Sequence, residues 1–177
     1  MKTLLTEEEI QKGVTRLANE INETYGSEPL TIVGVLTGCV VLLADVIRQL
    51  EMPLRVGVVM ASSYRGATTT RGELTINSDL MPDIGGRNVL IVDDIFDTGN
   101  TLVELMALME NFDPLTVRSA VLLRKHGRQE VDLEPDFIGF DIPNEFVVGY
   151  GLDYQDAYRN LPFVAALETA EIESCPP

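Results

Sequence analysis

The chain has 177 residues, 45% of them hydrophobic, a formal net charge of −15 and two cysteines. That length and apolar content suit one ordinary domain with a real core and exclude a disordered chain. The acidity opposes non-specific binding to nucleic acid or to an anionic membrane, and no apolar stretch is long enough to span a bilayer. Cys39 and Cys175 lie far apart with no Cys-x-x-Cys spacing and no histidine pair, which argues against a disulfide framework or zinc site and for a reducing cytoplasm. The first six residues lack the apolar core and cleavage site of a signal peptide.

In chain order, Thr6 and Glu9 spell a capping box. Ile10, Val14, Leu17, Ala18 and Ile21 follow at helical spacing, with Gly26 as the stop. Residues 30–36 form a β-branched apolar run that turns at Thr37-Gly38, residues 40–50 read as a helix ended by Met52-Pro53, and residues 54–60 as a valine-rich strand. Strand, helix, strand implies a parallel pair with a right-handed crossover. Residues 61–88 break the rhythm: they are rich in Ser, Thr, Gly and Arg, with one short extended piece at 73–76. A segment of that length inside a compact domain is usually a lid or binding loop. The parallel unit resumes with a strand at 89–93, a helix at 101–111 and a strand at 117–123. After Pro135 come the short pieces 137–140 and 146–149, which look like a small cap over one sheet edge.

The string from Val89 to Thr101, Val-Leu-Ile-Val-Asp-Asp-Ile-Phe-Asp-Thr-Gly-Asn-Thr, carries the most chemistry. Its apolar run suits a strand buried on both faces of a parallel sheet, where ligands bind beyond the carboxyl ends. The following loop and helix start offer N–H groups and a positive dipole end to an anion. Gly99 permits close backbone approach, and Thr98 and Thr101 add hydroxyls. Asp97 is the misfit, because a carboxylate beside a phosphate is electrostatically unfavourable. A neighbouring negative charge would raise its pKa, improving it as an acid or base near neutrality. The bland alternative makes Asp97 or Thr98 a helix cap and Asp93 and Asp94 ordinary strand-end residues. Alternatively, Asp93 and Asp94 hold a pair of ribose hydroxyls or a divalent metal.

This string resembles the 5-phosphoribosyl diphosphate (PRPP) signature of the type I phosphoribosyltransferases, with the acid that the 6-oxopurine branch carries at Asp97. Ser62-Ser63-Tyr64, Lys125, the run from Pro135 to Pro143, the run from Phe146 to Tyr154, and Tyr158-Arg159 agree. From about residue 30 to 164 the chain is similar to the hypoxanthine(-guanine) phosphoribosyltransferases. The resemblance implies an α/β fold: a twisted, mostly parallel sheet flanked by helices. It implies one domain over residues 1–177, a lid at about 61–88 and a hood from about 135–177, with the N-terminal residues as a candidate addition.

It further implies Mg²⁺-dependent transfer of a phosphoribosyl group from PRPP to hypoxanthine, and to guanine, giving a purine nucleoside monophosphate and pyrophosphate in a homodimer or homotetramer. By the same resemblance, Asp93 and Asp94 bind ribose and metal, and Asp97 exchanges a proton with the purine. Asp97, Thr98, Gly99, Asn100 and Thr101 hold the 5′-phosphate; Thr37, Gly38 and Arg159 hold pyrophosphate. Lys125 reads the 6-oxo group, Phe146 stacks on the base and Val147 reads its edge. Asp153 joins the purine side and a second metal, and Ser63 and Tyr64, with Arg65 and Arg71, mark the lid. One departure is Thr37, where the family usually has a basic residue. Two rivals are a pyrimidine-type, RNA-binding regulator and a non-catalytic PRPP sensor. The −15 charge opposes the first, as does Asp97, and the joint presence of Asp97, Lys125 and Phe146-Val147 opposes the second.

Overall fold

The computed structural model describes residues 1–63, 74–168 and 171. Strand β1 (Lys2–Leu5) precedes helix α1 (Glu7–Tyr25). The capping box is formed: the Glu9 N–H donates to Thr6 Oγ1 at 3.3 Å, and the Thr6 N–H donates to Glu9 Oε2 at 2.8 Å. Helix α1 buries Ile10, Val14, Leu17, Ala18 and Ile21, the stripe its periodicity predicts, and Gly26 ends it at φ 56°.

Strand β2 (Leu30–Leu36), helix α2 (Val40–Ile47) and strand β3 (Leu54–Ser63) follow. The helix stops three residues short of the expected end, with Arg48 already at its cap. Strand β4 (Leu74–Asn77) pairs antiparallel with β3, so the first residues of the expected lid belong to the sheet. Tyr64, Arg65 and Arg71 lie outside the described residues, as do the side chains of Ser62 and Ser63.

Strand β5 (Asn88–Phe96), helix α3 (Asn100–Glu110), strand β6 (Thr116–Lys125) and strand β7 (Phe137–Ile142) complete a six-stranded sheet of order β4-β3-β2-β5-β6-β7. The pairs β2–β3, β2–β5, β5–β6 and β6–β7 are parallel. Two expectations change here. Strand β5 runs past the acids to Phe96, because Ile95 and Phe96 still pair with Leu123 and Arg124 of β6. Residues 137–142 are the parallel edge strand of the main sheet and not part of a cap. The small sheet is β1, β9 (Val164–Ala166) and β8 (Val147–Val148), in the order β1-β9-β8.

Two apolar cores form on the sheet. One gathers α1 and α2 around Leu17, Ile21, Leu42 and Leu90, and reaches the small sheet through Val147 and Val164. The other packs α3, through Leu105 and Met109, against Val33, Ile91 and Val121. Ile32 and Leu90 fall in the first and Val33 and Ile91 in the second, so successive β2 and β5 residues serve opposite faces.

Candidate active site

The strand order reverses between β2 and β5: the chain goes from β2 outward to β3, then from β5 outward to β6. Such a reversal opens a crevice beyond the carboxyl ends of the two strands. A cavity of about 480 Å³ is found there. Thr37 and Gly38 line it after β2, Asp93 and Asp94 line it from β5, and Asp97, Thr98, Gly99 and Thr101 form its floor. Asp153 and Arg159 enter from the loop after β8. The structure thus brings together ten of the residues the sequence singled out.

Asp93 and Asp94 sit inside the strand, and Asp93 is only 9% exposed. Asp93 Oδ1 accepts the Asp94 N–H at 2.9 Å. Burial, then the neighbouring Asp94 charge, pushes the Asp93 carboxyl well above the usual carboxylate range. Burial raises Asp94 too, against lowering contributions from hydrogen bonds and Arg159. Asp94 presses on the turn after β2: a Cβ on Gly38 would coincide with its carboxylate. Gly151, at φ 100°, lies on the other side of that turn, and a Cβ there would strike the Gly38 carbonyl. Two glycines therefore let the pyrophosphate-loop candidate, the ribose-acid candidate and the Asp153 loop pack together.

Asp97 has both carboxylate oxygens engaged. Lys125 Nζ donates to Oδ2 at 3.0 Å and Arg128 Nε donates to Oδ1 at 2.8 Å. Burial raises its pKa, but the hydrogen bonds from Arg128 and Lys125 outweigh it and hold the carboxyl below its ordinary value. The protein's own charges thus act against the raising effect expected from a phosphate. The capping alternative for Asp97 and Thr98 does not hold. The N-cap of α3 is Gly99, at φ 88°, with no side-chain capping bond.

The Asp97–Thr101 loop is fastened from behind by the segment after β6. The Glu130 N–H donates to the Thr98 carbonyl at 2.9 Å, and Asn100 Nδ2 donates to Glu130 Oε2 at 3.3 Å and Thr98 Oγ1 at 2.8 Å. A Cβ on Gly99 would run into Val131. Asn100 therefore braces the loop and, unlike its neighbours, does not line the cavity.

Of the purine-side candidates, Asp153 lines the cavity, whereas Lys125, Phe146 and Val147 do not. Lys125 reaches it through Asp97. Phe146 is 44% exposed and meets Tyr154 edge-to-face at 5.4 Å and 83°. An exposed aromatic steadied by another ring is suited to receive a planar ligand. Val147 is buried in the edge strand β8, paired with Ala166. Arg159 Nη2 contacts Asp153 at 2.9 Å and Asp156 at 3.1 Å, and Nη1 donates to the Gly151 carbonyl at 2.8 Å. Sequence reasoning missed Arg128 and Glu130. Both sit in a charged stretch after Lys125 that reads as solvated surface, and only the fold folds it back onto the Asp97 loop.

Among the described residues no three acids, histidines or cysteines converge as a ready cation cage, so Asp93, Asp94 and Asp153 do not form one together. No described helix is long and apolar enough to cross a membrane.

The mostly parallel sheet carries paired acids and the Asp97–Thr101 loop at its switch point, and the phosphoribosyl transferase domain model matches residues 1–155. The chain belongs to that family. Hypoxanthine-guanine phosphoribosyltransferase of Staphylococcus epidermidis is 41% identical over 171 residues, covering 97% of this chain and 95% of that protein. The Bacillus subtilis protein of the same name is 39% identical over 173 residues, covering 98% and 96%. Among solved structures, a Bacillus anthracis hypoxanthine-guanine phosphoribosyltransferase with HEPES in its active site superposes with a TM-score of 0.89 at 38% identity, covering 95% of this chain and 99% of that one. Hypoxanthine phosphoribosyltransferase of Trypanosoma cruzi in complex with the product IMP gives 0.87 at 36% identity, covering 96% and 95%.

Proposed function

We propose that this chain transfers the 5-phosphoribosyl group of PRPP to hypoxanthine, and also to guanine, giving IMP or GMP and pyrophosphate. The observation that carries the reading is Asp97: an acid set in a phosphate loop and gripped by Lys125, beside a cavity large enough for a nucleotide. A simple phosphate binder has no use for that acid, whereas a 6-oxopurine enzyme does.

In this reading the N–H groups from Thr98 to Thr101 and the Thr98 and Thr101 hydroxyls hold the 5′-phosphate at the start of α3. Asp93 and Asp94 accept the ribose hydroxyls. Thr37 and Gly38, through backbone and hydroxyl donors, and Arg159, through its guanidinium, hold pyrophosphate. With Thr37 in place of a basic side chain, Arg159 supplies a larger share of the positive charge. Phe146 stacks on the base, the Val147 backbone meets its edge, and the Lys125 ammonium donates to the 6-oxo group. An amino group at that position would put donor against donor, so adenine is rejected. As N9 bonds to C1′ and pyrophosphate departs with the electron pair of the C1′–O bond, Asp97 takes the N7 proton.

The buried, mutually repelling Asp93–Asp94 pair fits Mg²⁺, which takes one or two carboxylates and fills its shell with water and phosphate oxygens. When bound, it neutralises charge developing on the leaving pyrophosphate. The test is an assay of purified protein with PRPP, Mg²⁺ and single bases. The expected result is hypoxanthine and guanine converted to monophosphates with matched release of pyrophosphate, and adenine untouched. Failure to convert any 6-oxopurine would overturn the reading.

A further inference from the structure

Asp97 holds two cations on two different oxygens, and the two differ in what they are tied to. Lys125 ends β6, and its side chain is 11% exposed. Arg128 belongs to the turn after it, where Gly127 takes φ 71°. That turn leads directly into Glu130 and Val131, which are bonded and packed onto Thr98, Asn100 and Gly99. The residue that grips Asp97 Oδ1 is thus carried by a segment clamped to the loop that carries Asp97. Loop and guanidinium form one mechanical unit, whereas Lys125 is anchored independently in the sheet.

We infer that Arg128 is a positioning residue for Asp97, keeping Oδ1 fixed while Lys125 gives up Oδ2 to meet the 6-oxo group of the base. This rests on the function proposed above. To take the N7 proton, Asp97 must turn one oxygen to the purine, and Lys125 is the partner whose second task lies on the purine itself. Were Arg128 absent, departure of Lys125 would leave the carboxylate free to rotate, and misorientation at a proton-transfer distance is costly in rate. The charged groups acting on Asp97 are Lys125 from β6 and Arg128 from the turn, with Glu130 acting in turn on Arg128.

The test uses Arg128→Gln and Arg128→Lys in the full chain, each also combined with Asp97→Asn. Arg128→Gln is expected to lower kcat roughly tenfold while KM for PRPP stays within about twofold, because orientation and not phosphate binding is lost. Arg128→Lys is expected to recover part of the rate, and Arg128→Gln to add nothing once Asp97 is Asn. Carboxyl ¹³C titration of the ligand-free protein supplies a readout independent of turnover: the Asp97 midpoint rises in Arg128→Gln. An unmoved midpoint, a KM for PRPP that rises in step with the fall in kcat, or an equal loss in the Asp97→Asn background would overturn the role. If the wild type converts no 6-oxopurine, the proposed function falls, and the titration still decides whether Arg128 governs Asp97.

Discussion

Asp93 and Asp97 sit four residues apart in the sequence and are driven in opposite directions. Burial beside Asp94 raises the Asp93 carboxyl, whereas Arg128 and Lys125 outweigh burial to lower Asp97. The consequences for stability have opposite signs. A carboxyl raised in the folded state destabilises the fold as pH climbs from its unfolded value through its folded one; a lowered one stabilises the fold above its unfolded value, and that contribution is lost as pH falls through the folded value. Asp93→Asn is therefore expected to raise Tm at neutral pH by a few degrees, roughly 2–4 °C per kcal/mol at this length. The amide oxygen still accepts the Asp94 N–H, while PRPP binding by calorimetry falls sharply. A lower Tm would show that the buried acid is stabilised by a partner other than its own segment. Asp97→Asn is expected to lower stability at neutral pH and to flatten its loss below about pH 4, which thermal melts across pH read out.

At the scale of elements, the site depends on turns that touch. Gly151 holds φ 100° against the Gly38 carbonyl, so Gly151→Ala combines backbone strain with a clash. A destabilisation of about 1–3 kcal/mol is expected, with a rise in KM for PRPP, because the turn carrying Thr37 and Gly38 must shift. By contrast Thr6→Ala, which removes the α1 cap at a residue that does not line the crevice, is expected to cost about 1 kcal/mol in denaturant melts and to leave kcat and KM unchanged. The same elements show what can be read from residues alone. The α1 box and stripe, and β2 over Leu30–Leu36, were legible because local periodicity and burial coincide. The end of β5 was not, because carboxylates look like a strand terminus until β6 pairs beyond them. Strand β1 and strand β9 escaped notice since each is three or four residues long and is defined by pairing across the chain, β1 with β9 and β9 with both β1 and β8.

For the whole molecule, the sheet separates two cores and leaves its polar chemistry at the carboxyl ends of β2 and β5. That Asp93, Asp94, Asp97, Thr98, Gly99 and Thr101 share one crevice was legible because they are close in sequence. Arg128 was not, since its meaning depends on a turn that folds back across 31 residues to Asp97. If the crevice takes PRPP as proposed, the net charge of −15 adds a global expectation. Moderate salt should raise the association rate of PRPP by screening long-range repulsion, the reverse of the usual cation-steered case. Stopped-flow binding at fixed Mg²⁺ and rising ionic strength measures this, and an on-rate that falls with salt would mean that the local arginines dominate the approach.

If Asp97 handles the proton of the purine and does not serve only to shape its loop, turnover and PRPP binding must separate when the acid is removed. The most direct measurement is the turnover of Asp97→Asn with hypoxanthine beside its dissociation constant for PRPP. The expected result is that kcat falls by roughly 10²–10⁴-fold, the usual worth of a positioned general base, while PRPP affinity changes by less than about tenfold. Equal losses in turnover and PRPP affinity would contradict it and make Asp97 a structural part of the loop.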